Sequence, residues 1–314
     1  MKKILLLILS VFAFFSCSEF DYYKDYTEWE QGVSLDFHSC KANYNSAYDS
    51  TVVNMYFSVW QDDDSASIDD LTLENVTVLE DGNASDTESM SSIENSINFN
   101  IILLLDFSYS MVSSDSIDSL KEAAKTFIAQ KSDNAKIAIV KFATSYSLEQ
   151  DFTDDADTLN TIIDNIESDE QKDRFTALYD AIDYSVVSVF DNYDTTSNAL
   201  IIFSDGADNR SDCSLDDAYE ALKTTDVICY SIGLGSSIDT DALEELSIGG
   251  GLSTATTSEE LSSLFSEISI KIGSIYKLEY ISPTNNSKYH ELEVTIESSY
   301  GNCGYSLEYR RKTD

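Results

Sequence analysis

Only two of the 314 residues are histidine, His38 and His290, and only one is proline, Pro283. Positive charge is scarce as well: 19 Lys and Arg stand against 57 Asp and Glu, a formal net charge of −38 at pH 7. Such a surface repels phosphate backbones and argues against nucleic-acid binding. The same field concentrates cations, in accord with a metal site. Lack of histidine removes the usual proton carrier of enzymes working near neutrality. Both histidines fall in alternating, strand-like flanks, and no Ser–His–Asp or Cys–His order is present. The chain therefore reads as a binding protein and not as an enzyme. It is nonetheless a folded one, since 42% of it is hydrophobic, with 19 Tyr and 15 Phe.

Cysteine is sparse and unevenly placed. Met1-Lys2-Lys3 and the apolar residues 4–15 form a basic region and a hydrophobic stretch too short to span a bilayer. The stretch ends Phe14-Phe15-Ser16-Cys17, which resembles the bacterial lipobox, with Cys17 as the lipidated residue, although the two phenylalanines depart from the usual pattern. Ser18-Glu19-Phe20-Asp21 resembles the acidic export tags of Bacteroidetes surface lipoproteins. These features predict a lipoprotein signal over 1–17 and a bacterial outer-membrane lipoprotein, displayed on the surface or else facing the periplasm. No later segment is apolar enough to cross a membrane. Cys40, Cys213, Cys229 and Cys303 remain, allowing two bridges and three connectivities. Cys229 lies in an apolar run and reads as a small core residue. Cys40 and Cys303 would form a disulfide if the two β-like flanks pair.

Taken in order, residues 18–32 lack periodicity and are expected to be a tether. Residues 33–82 alternate with period two and predict a β flank. Within it, Asp62-Asp63-Asp64-Ser65 reads as a solvated turn, since the Gly and Glu of a calcium loop are missing. Residues 83–98, rich in Ser, Asn, Asp and Glu, read as a linker. Over 99–273 continuous apolar strands alternate with helical spacing, as in Leu120, Ala123, Ala124, Phe127 and Ile128. That pattern predicts a mostly parallel, doubly wound α/β sheet covered on both faces. Residues 274–314 return to alternation. The economical architecture inserts the α/β unit into a small β-sandwich built from both flanks.

The strongest chemical signal is Asp106-Phe107-Ser108-Tyr109-Ser110, directly after the apolar run 101–105. A carboxylate and two hydroxyls at a strand's carboxyl end lie where open α/β sheets place their ligands. Hard oxygens of this kind suit Mg²⁺, with Mn²⁺ or Ca²⁺ as alternatives. Two later segments offer matching oxygens, Thr176 and the Asp205 of Ser204-Asp205-Gly206. The three segments together resemble the von Willebrand factor A (VWA) domain and its metal-ion-dependent adhesion site, over about residues 99–272. The resemblance implies that Ser108 and Ser110 bind the metal directly and Thr176 directly or through water. It further implies that Asp106 and Asp205 act mostly through bound water and hold the serines. Arg174-Phe175 depart from the glycine that often precedes the family's threonine.

A cation with few charged ligands stays electrophilic and can accept a carboxylate from a partner protein. The function expected is thus a metal-dependent, adhesion-type protein-binding module on the cell envelope. The alternative is a structural subunit of an envelope complex whose metal site is bracing or vestigial. Asp208, Asn209 and Arg210 would line the rim of the site, or cap the helix that follows.

Overall fold

The computed structural model describes residues 23–45, 50–61, 66–84, 86–92, 99–113, 116–169, 171–190, 197–204, 208–225, 227–234, 238–282 and 289–310. Cys17, Asp205, Pro283 and the 62–65 aspartate cluster lie outside them. Both ends of the described chain are β. The first flank holds β1 (Tyr23–Gln31), β2 (Val33–Asn45), β3 (Ser50–Gln61), β4 (Val76–Glu80), β5 (Asn83–Ala84) and β6 (Asp86–Ser92). The middle runs β7 (Phe99–Asp106), α1 (Tyr109–Ser113), α2 (Ser116–Gln130), β8 (Ala135–Phe142), β9 (Tyr146–Thr153), α3 (Ala156–Asn165) and α4 (Leu178–Asp183). It continues through a π-helical turn, then β10 (Ser197–Ser204), α5 (Leu215–Thr224), β11 (Ile228–Leu234), α6 (Thr240–Leu246), β12 (Gly249–Ala255) and α7 (Ser258–Gly273). The last flank holds β13 (Tyr276–Ile281), β14 (Tyr289–Glu297) and β15 (Asn302–Arg310).

The middle forms one six-stranded sheet in the order β12-β11-β10-β7-β8-β9. All neighbours are parallel except β9, which runs antiparallel along the edge. Every residue of β7 is buried, because the strand is central and helices cover both faces. Its side chains alternate between two cores. Ile101, Leu103 and Leu105 join Phe127 and Phe265 on one face, and Ile102 and Leu104 join Leu178 and Ile182 on the other. Phe265 of α7 stacks on Phe203 of β10 with ring centroids 4.3 Å apart, fixing that helix on the sheet. Cys229 is fully buried, the small core residue its context predicts.

The flanks form two further antiparallel sheets, β1-β15-β14-β4-β5 and β2-β3-β13-β6. They share one apolar core in which Leu35 and Phe57 meet Val78, Leu292 and Leu307. Each sheet draws strands from both ends of the chain, so the α/β unit is inserted into a sandwich. Cys40 and Cys303 enter this core from opposite sheets, and both are thiols in the structure rather than a disulfide.

Two segments differ from expectation. Residues 23–31 of the expected tether form β1, paired from Tyr23↔Tyr309 to Gln31↔Asn302. Much of the expected linker 83–98 is strand, with β5 pairing β4 and β6 pairing β13. β12, with three successive glycines, also escapes the apolar pattern. All four strands lie at sheet edges, where half of the backbone bonding and much of the burial are missing. A bulge in β1 between Asp25 and Thr27 breaks its alternation further. Two of the glycines of β12 have a packing cause: a Cβ on Gly249 would collide with the His38 carbonyl oxygen, and one on Gly250 with the Cys229 carbonyl oxygen.

The sandwich meets the α/β unit at His38. Its Nδ1–H donates to the Gly249 carbonyl, and its Nε2 lies 2.8 Å from Ser58 Oγ. Burial pushes the imidazole below its ordinary pKa, so the neutral ring accepts from Ser58.

Candidate metal centre

Of the residues that the sequence singles out, Asp106, Ser108, Ser110 and Thr176 lie among the described ones, near the carboxyl ends of β7 and β8. β7 ends at Asp106, which is fully buried. An isolated buried carboxylate is costly, and here both oxygens accept hydrogen bonds. Oδ1 accepts from the Ser108 backbone N–H at 2.8 Å, and Oδ2 from the Ser204 hydroxyl at 2.6 Å. The first bond folds the chain back after the strand and points residues 108 and 110 the same way. Ser108 Oγ and Ser110 Oγ then lie 3.0 Å apart, the former buried and the latter exposed. Cis oxygens on an octahedral Mg²⁺ about 2.1 Å away would be separated by about 3 Å, so the serine pair fits that ion. The donors are neutral hydroxyls beside one carboxylate, which agrees with a hard divalent cation.

Thr176 reaches the same edge by a separate route. It is buried in the loop between α3 and α4, and the next residue, Ala177, donates its N–H to the Ala143 carbonyl just beyond β8. Its own N–H donates to Asn209 Oδ1, and the Asn209 N–H returns a bond to the Thr176 carbonyl, both at 3.0 Å. Asp208 beside it caps α4, accepting from the Leu178 and Tyr179 N–H groups at 2.7 and 3.2 Å. Asp208 thus caps the helix after Thr176 and not the following one, which is capped by Ser214. Upstream, Lys141 Nζ bonds Asp173 at 2.9 Å and the Glu167 carbonyl at 2.8 Å, lying over the Phe107 ring. Ser168 Oγ donates to the Phe107 carbonyl. These contacts pin the loop of Thr176 onto the Asp106 turn.

Direct hydrogen bonds therefore unite Asp106, Ser108 and Ser110. Thr176 is positioned at the same edge through Ala143 and Asn209. Asp205 lies outside the described residues. Ser204 is a site residue that sequence reasoning missed. Its signal was its place, the last residue of an apolar strand, directly before Asp205. Among the described residues, one cluster of mixed metal-ligating side chains stands elsewhere: Glu80, Asp81 and His290, in the sandwich.

The chain matches the von Willebrand factor type A domain over residues 100–267, more than half of its length. Among solved structures it resembles proximal thread matrix protein 1 from the mussel byssus, in a form with a zinc-occupied MIDAS motif. That likeness has a TM-score of 0.54 at 17% identity and covers 62% of this chain and 50% of that one. A von Willebrand factor type A protein from Catenulispora acidiphila gives a TM-score of 0.53 at 12% identity, covering 94% of this chain and 77% of that one. At such identities the likeness is one of fold, and the chain spans about half the length of the mussel protein. No curated protein matches it. With its strand order and the position of its oxygen cluster, the chain belongs to the von Willebrand factor type A domain family.

Proposed function

We propose that the chain is a metal-dependent protein-binding module in which Asp106, Ser108, Ser110, Thr176 and Asp205 hold a divalent cation, Mg²⁺ by preference. Domains of this family commonly act as protein-interaction modules that bind a divalent metal. The observation that carries the reading is the 3.0 Å pair of Ser108 and Ser110 hydroxyls, steered by a buried Asp106. When bound, the cation supplies an electrophilic point for a hard anion. Asp106 orients the serines, and Asn209 and Asp208 hold the Thr176 loop against them.

A partner carboxylate suits this site for a second reason. The chain has four arginines, and two of them, Arg174 and Arg210, flank Thr176 and Asn209. Both are exposed, and neither forms a close ion pair among the described residues, although the chain carries 57 acidic side chains. Tyr109 and Phe175, each 50% exposed, stand beside the serines and the threonine. A basic and aromatic rim on an otherwise acidic protein favours an acidic segment of a partner protein. Anchoring through a lipid on Cys17 to the bacterial outer membrane, facing outward, rests on the N-terminal sequence. No helix among the described residues is long and apolar enough to cross a membrane. The reading is of a binding module without catalytic chemistry.

Calorimetry with Mg²⁺ and Mn²⁺ on the protein, beside Asp106→Ala and Ser108→Ala, tests the proposal. Saturable binding lost in both variants supports it. Binding unchanged in either variant removes these residues from the site. Partner capture that survives EDTA would favour a bracing metal in a structural subunit.

A further inference from the structure

We infer a second metal site, of zinc type, formed by Glu80, Asp81 and His290 at one end of the β-sandwich. The inference stands apart from the candidate centre of the α/β unit and does not depend on it. β4 turns Val76, Val78 and Glu80 toward the core, and β14 does the same with His290, Leu292, Val294 and Ile296. Two ionisable groups thus occupy core-facing positions where the pattern calls for aliphatic ones. The side chains of Glu80 and His290 are both 0% exposed. Burial of this kind is costly unless the charges are matched.

The three donor atoms lie within 4.8 Å of one another. His290 Nδ1 is 2.8 Å from Asp81 Oδ2 and 3.3 Å from Glu80 Oε1. Ligand atoms about 2.1 Å from a zinc ion are separated by about 3.0 to 3.4 Å at angles from square to tetrahedral. The His290–Glu80 separation falls within that range, and the His290–Asp81 separation lies slightly below it.

One imidazole nitrogen with two carboxylate oxygens suits zinc and its first-row neighbours better than Mg²⁺ or Ca²⁺, which favour oxygen alone. The backbone presets the arrangement. Asp81 sits in a left-handed conformation, φ 50°, and exchanges hydrogen bonds with Glu291, its N–H to the carbonyl and its Oδ1 from the N–H. The Ser282 hydroxyl, just past β13 of the opposite sheet, donates to Glu80 Oε1 and orients that carboxylate. Asp81 is exposed and gives the ion a way in. A bound cation would clamp β4 to β14, its neighbour in the same sheet.

The chain has only two histidines, so imidazole ¹⁵N NMR reads the site directly. Zn²⁺ is the probe, added to the whole protein and to Asp106→Ala. The expected result is a large shift of one His290 nitrogen at one equivalent, unchanged in Asp106→Ala, with His38 unmoved. Mg²⁺ should leave both rings in place. Asp81→Asn, whose new side chain tolerates the left-handed backbone, should weaken Zn²⁺ binding at least tenfold, and His290→Gln should abolish the response. A His290 ring unmoved at saturating Zn²⁺, or equal affinity in Asp81→Asn, overturns the site and leaves a hydrogen-bonded triad. Because Asp81 is exposed, its variant remains a decisive test even where His290→Gln fails to fold.

Discussion

Ser204 Oγ lies 2.6 Å from Asp106 Oδ2, a hydrogen bond between residues 98 apart in the chain. It joins the ends of two adjacent parallel strands and bonds a carboxylate that has no access to solvent. Ser204→Ala removes this donor from a buried carboxylate, and the loss of a hydrogen bond to a charged group costs about 1.5 to 3 kcal/mol. Mg²⁺ affinity is expected to fall by about 10-fold to 100-fold, as when a group that orients a metal ligand is lost. Urea denaturation and calorimetry measure the two effects. Unaltered Mg²⁺ affinity in a folded Ser204→Ala protein would mean that Asp106 does not need this partner.

Asp208 supplies the cap that α4 lacks in its own sequence, since Ala177 stands at the N-terminal position. Asp208→Ala removes an acceptor for the Leu178 and Tyr179 N–H groups and a negative charge at the positive end of the helix. A loss of about 1 to 2 kcal/mol is expected, with Asp208→Asn milder. Hydrogen exchange should accelerate at those two amides before elsewhere, because the cap acts locally. Exchange unchanged at both would show that the loop holds without Asp208.

His38 makes the junction of sandwich and α/β unit sensitive to acid. Burial holds its pKa below 6.5, opposed by the Gly249 hydrogen bond and by Asp36, and aided by Lys271. The unfolded chain therefore binds the proton more readily than the folded one. The stability that neutral His38 contributes is complete above about pH 6.5 and is lost as pH falls from there through the folded pKa. Thermal midpoints should drop across that window, and His38→Gln should flatten the drop. A slope identical in the variant would assign the effect to other groups. Gly249→Ala tests the same contact sterically: Gly249 has φ +70° and a Cβ there would lie 2.5 Å from the His38 carbonyl oxygen. Lower stability without a new pH slope is expected for it.

Legibility in the sequence followed burial. The central strands β7, β8, β10 and β11 are buried through most of their length and show as short, mostly apolar runs. The helices carry their apolar face at the spacing the turn demands. Edge strands β1, β5, β6 and β12 obey no such pattern, because a polar or glycine-rich strand is chosen by the partner it pairs with. The site divides in the same way. Asp106, Ser108 and Ser110 are close in sequence and converge through a local bond, so their spacing alone announces them. Ser204, Asp208 and Asn209 act through partners about 30 to 100 residues away, as hydrogen bonds that the sequence does not display.

By itself the sequence determined the α/β class, the inserted arrangement and the oxygen cluster at the end of β7, since each rests on local periodicity or near neighbours. Only the tertiary structure decided which residues steer Asp106, how Asp208 and Asn209 hold the Thr176 loop, and that Glu80 and His290 share a buried end of the sandwich. Those relationships depend on strand order and register, which bring distant residues within hydrogen-bonding distance only once the sheets have formed.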